Sequence, residues 1–249
     1  MSPLAVIAIL AAGLVAGLVN AVVGTGTLVT FPTLLALGYP PVVANMSNTV
    51  GLIFGNVSGV VGYRRELAGQ RARAIELSIP TAVGAVGGAI LLLALPQGVF
   101  HRIVPWLVLF AVALVIVQPR LSTYLARHSE RASSTWALRG CLLLAGVYGG
   151  YFGAGVGVIL IGLLSVFLED DLQRLNGIRN VLSAVTNTFA AIVFVVIGQV
   201  AWPVVGLLAV SSIVGGQIGA LFGRRLPANV LRGLIVVGGL AAVVKLLLS

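Results

Sequence analysis

The residues of this chain that can bind or react are few, and they sit where such residues are costly. Two glycine-rich interruptions, Gly24-Thr25-Gly26-Thr27 and Gly149-Gly150-Tyr151-Phe152-Gly153-Ala154-Gly155, break otherwise apolar sequence. Each is followed by a short apolar segment, then by a segment rich in amides and hydroxyls. After the first break these are Asn45, Ser47, Asn48 and Thr49; after the second, Asn176, Arg179, Asn180, Ser183, Thr186 and Asn187. On a helix Asn45, Asn48 and Thr49 share a face, as do Asn176, Arg179, Asn180, Ser183 and Asn187. A break that opens a short helix leaves free N–H groups and the positive end of the helix dipole at that point. Such an end binds anions, and neighbouring Asn and Thr side chains add neutral donors. The same amides and hydroxyls could instead tie helices together and satisfy the broken backbone.

Arg179 is the sharpest of these residues, because it falls on a polar helix face rather than in a loop. Three roles are open to it: a forked hydrogen bond to an oxyanion, an ion pair with Glu169, Asp170 or Asp171, or snorkelling to the aqueous edge. The candidate binding set is therefore Gly24, Thr25, Gly26, Asn45, Asn48, Thr49, Gly153, Gly155, Arg179, Asn180 and Asn187.

Other chemistries find no support. The six acids are Glu66, Glu76, Glu130, Glu169, Asp170 and Asp171, all at or near loops. Proton relays and cation sites in membranes use buried carboxylates. An anion leaving a cell with a negative interior needs none, since the potential supplies ~2.3 kcal/mol per charge per 100 mV. Gly24-Thr25-Gly26-Thr27 is not followed by the Gly-Lys-Ser/Thr of a phosphate-binding loop. There is no His-Glu-x-x-His, His101 and His128 fall in loops, and Cys141 is the lone cysteine. No catalytic residue, metal site or cofactor is expected.

The elements that must position the candidate set are membrane helices. Of 249 residues 59% are apolar and 8% charged, against about 25% charged in a soluble domain. The mean hydropathy is +1.13. A soluble enzyme, a nucleic-acid-binding domain and a disordered chain are excluded, because the polar surface they require is missing. The apolar runs are long and unbroken, which argues for helices rather than barrel strands. Ten runs can be drawn, at about 4–23, 26–37, 43–63, 74–95, 103–118, 137–152, 155–168, 177–198, 202–222 and 230–248. Met1-Ser2-Pro3-Leu4 lacks the basic start of a signal peptide, so the first run reads as a permanent helix. Glycines four residues apart, as in Gly13/Gly17 and Gly84/Gly88, offer close helix contacts.

The breaks divide the chain into two similar halves. A shift of 129 places Ala16-Gly17 on Ala145-Gly146 and Gly24-x-Gly26 on Gly153-x-Gly155; Asn45-x-x-Asn48-Thr49 resembles Asn176-x-x-Arg179-Asn180. Residues 1–118 form the first repeat, 119–136 a polar cytoplasmic linker and 137–249 the second repeat. Runs 26–37 and 155–168 either span or return as re-entrant arms. In both cases a half makes an odd number of crossings, so the second half enters from the opposite side. Charge agrees. With the loop Tyr63–Arg73 in the cytoplasm, only Arg102 and Lys245 of the 15 basic residues fall outside, leaving 13 inside. Both termini are then non-cytoplasmic.

At these residues the chain resembles the TauE/SafE family of sulfite exporter-like permeases. The match runs from Ala16-Gly17 through Gly24-x-Gly26, Pro41-Val42-Val43-Ala44-Asn45-x-x-Asn48-Thr49 and Gly62-Tyr63-Arg64-Arg65-Glu66. In the second half it continues through the Gly146–Gly157 break and the Asn180–Thr188 helix. The resemblance implies a plasma (inner) membrane permease for sulfite, sulfoacetate or other sulfonates. Thr25 and Thr27 become Ala154 and Val156 in the second half, so the site is not expected to be symmetric.

The expectation is an all-α polytopic membrane protein of 8–10 helices in two inverted-topology repeats. It would export small anions by alternating access. A passive anion channel and a non-transporting membrane scaffold are the alternatives. Its expected partners are a small anion and the lipid bilayer, not nucleic acid, with a homodimer left open.

Overall fold

The computed structural model describes residues 1–127, 135–222, 233, 235–240, 243 and 246. Among these every regular element is a helix: α1 (Pro3–Val22), α2 (Thr27–Ala36), α3 (Pro41–Gly62), α4 (Arg71–Ala94), α5 (Gln97–Arg127), α6 (Thr135–Tyr151), α7 (Val156–Phe167), α8 (Leu172–Ile197) and α9 (Trp202–Phe222). The first nine apolar runs each coincide with one of them. The tenth, 230–248, lies largely outside the described residues; 235–240 are helical, and Ile235, Val243 and Leu246 are buried in the core.

Local chemistry sets several boundaries. Ser2 Oγ accepts from the Ala5 N–H, with Pro3 opening α1. Asp171 caps α8 by accepting from the Gln173 N–H at 3.0 Å. One boundary differs from expectation. The linker drawn over 119–136 is helical at both ends, since α5 continues to Arg127 and α6 begins at Thr135. Residues 120–127 contain no Gly or Pro to stop a helix once it has passed Pro119. Residues 128–134 lie outside the described residues.

Five described helices are long and apolar enough to cross a membrane: α1, α4, Gly98–Gln118 of α5, α8, and α9 over Trp202–Leu221. The chain is a polytopic helical membrane protein. α3 is as long as these, but it buries Asn45, Ser47, Asn48, Thr49, Asn56 and Ser58. It is tolerated because neighbouring helices enclose it.

Side-chain contacts give each helix its direction. At one end of the bundle the α3–α4 loop meets the α7–α8 loop. There Gln70 Nε2 donates to the Arg174 carbonyl at 3.3 Å. Arg73 and Arg174 donate to the two oxygens of Asp170 at 2.9 and 2.7 Å. At the same end Arg139, near the start of α6, bonds Glu76 on α4 at 2.6 Å. So α6 begins, and α7 ends, at this basic end. At the other end Met1, Ser2 and Ala5 share a cleft with Leu37, Gly38 and Tyr39. So α1 begins where α2 ends. The two short helices are returning arms of hairpins that enter from opposite ends, which resolves the choice left open by their length.

Between the hairpins α3 and α8 run antiparallel. Ala201, just past α8, donates its N–H to Ser47 near the start of α3 at 2.9 Å, while Asn180 near the start of α8 lies against Gly59 near the end of α3. Helices also cross between the halves. α1 packs chiefly on α9, and α4 on α6. The two contacts correspond residue by residue. Gly215 and Gly219 of α9 lie against the carbonyls of Leu14 and Leu18 of α1. Gly84 and Gly88 of α4 lie against the carbonyls of Leu143 and Val147 of α6. The shifts are 131 along α4/α9 and 129 along α1/α6.

Candidate functional site

The hairpin tips meet inside the bundle. The Gly157 N–H, at the start of α7, donates to the Gly24 carbonyl at 3.2 Å, and Phe31 and Phe152 pack edge to face with centroids 5.3 Å apart. Gly24, Gly153 and Gly155 take φ of +84°, +78° and +76°, a region that L side chains avoid. A methyl group on Gly24 would also sit 2.6 Å from both Arg179 Nη1 and Gly157 Cα. Glycine there is required twice over, by conformation and by space.

Around these tips runs a band of buried polar groups. On the first-half side Asn48 Nδ2 donates to Thr27 Oγ1 at 3.1 Å, and the Thr30 hydroxyl donates to Asn48 Oδ1. Asn20 bonds Asn56 and accepts from the Gly26 N–H at 3.2 Å. Thr49 donates to the carbonyl of Asn45. Asn45 Nδ2 reaches the Tyr151 carbonyl at the tip of the other hairpin (3.0 Å), while its Oδ1 is buried without a partner. Thr25 Oγ1 is likewise buried without one.

On the second-half side stands Arg179, 1% exposed and the largest fully buried side chain described. Its Nη2 donates to the Ala21 carbonyl at 2.6 Å and to Asn180 Oδ1 at 3.3 Å; Nε has no partner among the described residues. Asn180 Nδ2 points to the same Ala21 carbonyl. Two of the three roles open to Arg179 are thereby excluded. It does not snorkel, because it is buried. It does not pair with the acids of the α7–α8 loop: Asp170 is held by Arg73 and Arg174, Asp171 caps α8, and Glu169 is exposed. What remains is a guanidinium among neutral oxygens, with an unmet N–H.

Ten of the eleven candidate residues thus line or brace the region where the tips meet. Asn187 is the exception: it is half-buried and makes no side-chain contribution to this network. Its counterpart Asn56 is held by Asn20, but the position equivalent to Asn20 is Gly149, where Thr186 packs instead. Asn20, Thr27, Thr30 and Asn56 belong to the network although they lay outside the candidate set. Their signal was present, as polar residues within apolar runs beside the first break.

A family model described as Sulfite exporter TauE/SafE matches residues 9–246. The chain belongs to this family. Among curated proteins, "Probable membrane transporter protein ORF9" of Sinorhizobium sp. is 27% identical over 237 residues, covering 95% of this chain and 90% of that protein. A "Probable membrane transporter protein" of Haemophilus influenzae is 25% identical, covering 90% and 88%. "Probable membrane transporter protein YfcA" of Escherichia coli K12 is 24% identical, covering 99% and 91%. No solved structure matches significantly. This TauE/SafE member is a multi-pass membrane transporter, and nothing in its relatives' names describes an enzyme.

Proposed function

We propose that this permease exports small anions, sulfite or organosulfonates, across the plasma membrane by alternating access, and holds them between the hairpin tips. One observation carries the reading: Arg179 is a fully buried cation with no carboxylate against it among the described residues. An unpaired buried charge costs several kcal/mol, and a bound anion offsets that cost. The N-termini of α2 and α7 converge on the same place, so their dipoles favour negative charge there too.

The two-half arrangement supports the transport mode. The halves act as inverted repeats: α3 and its counterpart α8 are antiparallel, the hairpins enter from opposite ends, and the α1/α9 and α4/α6 contacts exchange under the repeat. Rocking one half against the other would open the buried site to each side in turn. A passive channel would hold these residues in an open aqueous path, whereas they are buried. The basic end is assigned to the cytoplasm, and the membrane potential then drives an anion outward.

The test is flux of sulfite, methanesulfonate, acetate and chloride in proteoliposomes under an imposed potential. Saturable, potential-driven movement of a sulfur oxyanion is expected. Arg179→Gln should lower it by a factor on the order of 10²–10³, the effect of removing one partner of a buried charge pair. Unchanged flux in that variant would remove Arg179 from the site.

A further inference from the structure

Ser183 departs from every other buried serine or threonine carried on a described helix. Ser and Thr in apolar helices ordinarily donate back to the carbonyl four residues earlier. Thr30, Thr49, Thr81, Thr186 and Ser211 do so here. Ser58 and Ser212 reach carbonyls on neighbouring helices, and Thr27 and Ser47 accept from Asn48 and Ala201. Ser183 Oγ is buried, 6% exposed, and has no partner among the described residues.

Its position gives the exception a meaning. Residues 179, 183 and 186 lie within about one-sixth of a turn of one another on α8. Arg179 faces Gly24 at the first tip. Thr186 and Val156 both lie against Gly149 at the second. Ser183 lies between Arg179 and Thr186 on the same face, and the two tips they face are joined where Gly157 bonds Gly24. Thr25, the other buried serine or threonine whose hydroxyl has no partner among the described residues, is the residue after Gly24, and the Tyr151 phenol at the second tip is a third such hydroxyl. A buried hydroxyl left unmet is unfavourable; Ser183 is one helical turn from Arg179, and Thr25 follows Gly24, which lies against the Arg179 guanidinium.

We propose that Ser183, with Thr25, is a direct ligand of the transported anion: its hydroxyl donates to an anion oxygen while Arg179 Nε donates to another. This rests on the anion site proposed above and adds to it a residue that determines affinity. In this reading Ser183 serves binding rather than helix packing.

The experiment compares wild type with Ser183→Ala, Ser183→Thr and, as a control hydroxyl on α7, Ser165→Ala. It measures proteoliposome flux of sulfite and methanesulfonate and the thermal stability of the purified protein with and without each anion. A hydrogen bond to a charged group gives about a tenfold or greater effect. Ser183→Ala should therefore raise the half-saturation concentration about tenfold and shrink the anion-induced thermal shift. Its ligand-free stability should match or exceed wild type. Ser183→Thr should restore affinity, and Ser165→Ala should leave it unchanged. An unchanged half-saturation in Ser183→Ala, with Arg179→Gln impaired, would overturn the role of Ser183 and leave the anion site standing. A loss of ligand-free stability in Ser183→Ala with unchanged half-saturation would mark a structural hydroxyl and overturn it too. Absence of anion flux and of any anion-induced shift in the wild type would overturn the transport reading, and this inference with it.

Discussion

Gly24 shows how narrow the tolerances are at single residues. Its backbone is left-handed, and its missing side chain leaves room for Arg179 Nη1 and Gly157 Cα. Gly24→Ala should therefore impair both folding and transport. We expect a stability loss of about 1–3 kcal/mol from the strained backbone alone, seen as a lower thermal transition, with anion flux lost even in the folded fraction. Gly38, also at positive φ but with nothing within 4 Å of where a methyl group would stand, serves as the control: Gly38→Ala should show the backbone strain and retain transport. Residue types announced much of this site. An arginine and several asparagines within apolar runs are expensive, so their presence alone marked them. Which groups would be left unsatisfied was not legible. Thr49 and Thr186 look as available as Ser183 in the sequence, yet each is committed to a carbonyl of its own helix.

At the scale of elements, the two hairpins matter most, and they are pinned differently. The first is tied to α3 by Thr30 and Thr27 on Asn48 and by Asn20 on Asn56. The second ends in the ion network at the basic end, where Asp170 joins Arg73 of α4 to Arg174 of α8. Burial alone would raise the Asp170 carboxyl. The hydrogen bonds from the Asp171 N–H, Arg174 and Arg73, together with the Arg174 charge, outweigh it and hold the carboxyl below its ordinary 3.8. A carboxyl lowered in the folded state stabilises fully above its unfolded value, and that stabilisation is lost as pH falls through the folded value. Thermal stability should thus decline as pH drops below about 4. Asp170→Asn should be less stable than wild type at neutral pH and should show a smaller decline across that acid window. Circular dichroism melting across the acid range tests both. That short helices follow the glycine breaks was legible, because 26–37 and 155–168 are too short to be ordinary spans. Whether they return was not, since a short apolar run has the same composition either way. The cleft that Met1 and Ser2 share with Leu37 and Tyr39, and the ion network at Asp170, decide it.

The whole molecule is an interlock rather than two bodies side by side. Each half lends its fourth helix to the other, α4 against α6 and α9 against α1, over glycines that let backbones touch. Gly84→Leu and Gly215→Leu should each destabilise the protein by about 1–3 kcal/mol, the cost of overpacking a filled contact. The two losses should be similar, because the contacts correspond. Gly87→Leu, three residues from Gly84 but facing open space, should be close to neutral in the same thermal assay. Orientation is also a property of the whole. In a Cys141→Ser background, Ala68→Cys at the exposed basic end should react with a membrane-impermeant thiol reagent only from the cytoplasm. Gln199→Cys at the opposite end should react only from outside. The reverse pattern would overturn the assigned orientation.

The chain's composition and periodicity by themselves determined that it is a helical membrane protein. They also determined where its scarce polar residues cluster, because hydrocarbon tolerates only long apolar helices and makes each polar exception conspicuous. The order of Gly and Asn motifs determined the family. Tertiary structure alone decided that the short helices turn back, that the hairpin tips meet, that α4 and α9 exchange places, and that Arg179 is buried with no acid against it among the described residues. Those outcomes depend on which distant groups share space: Gly24 with Gly157 and Arg179, and Asp170 with Arg73. Spacing along the chain carries no record of such pairings, since hydrogen bonds and ion pairs form between whichever groups the packing of helices brings within reach.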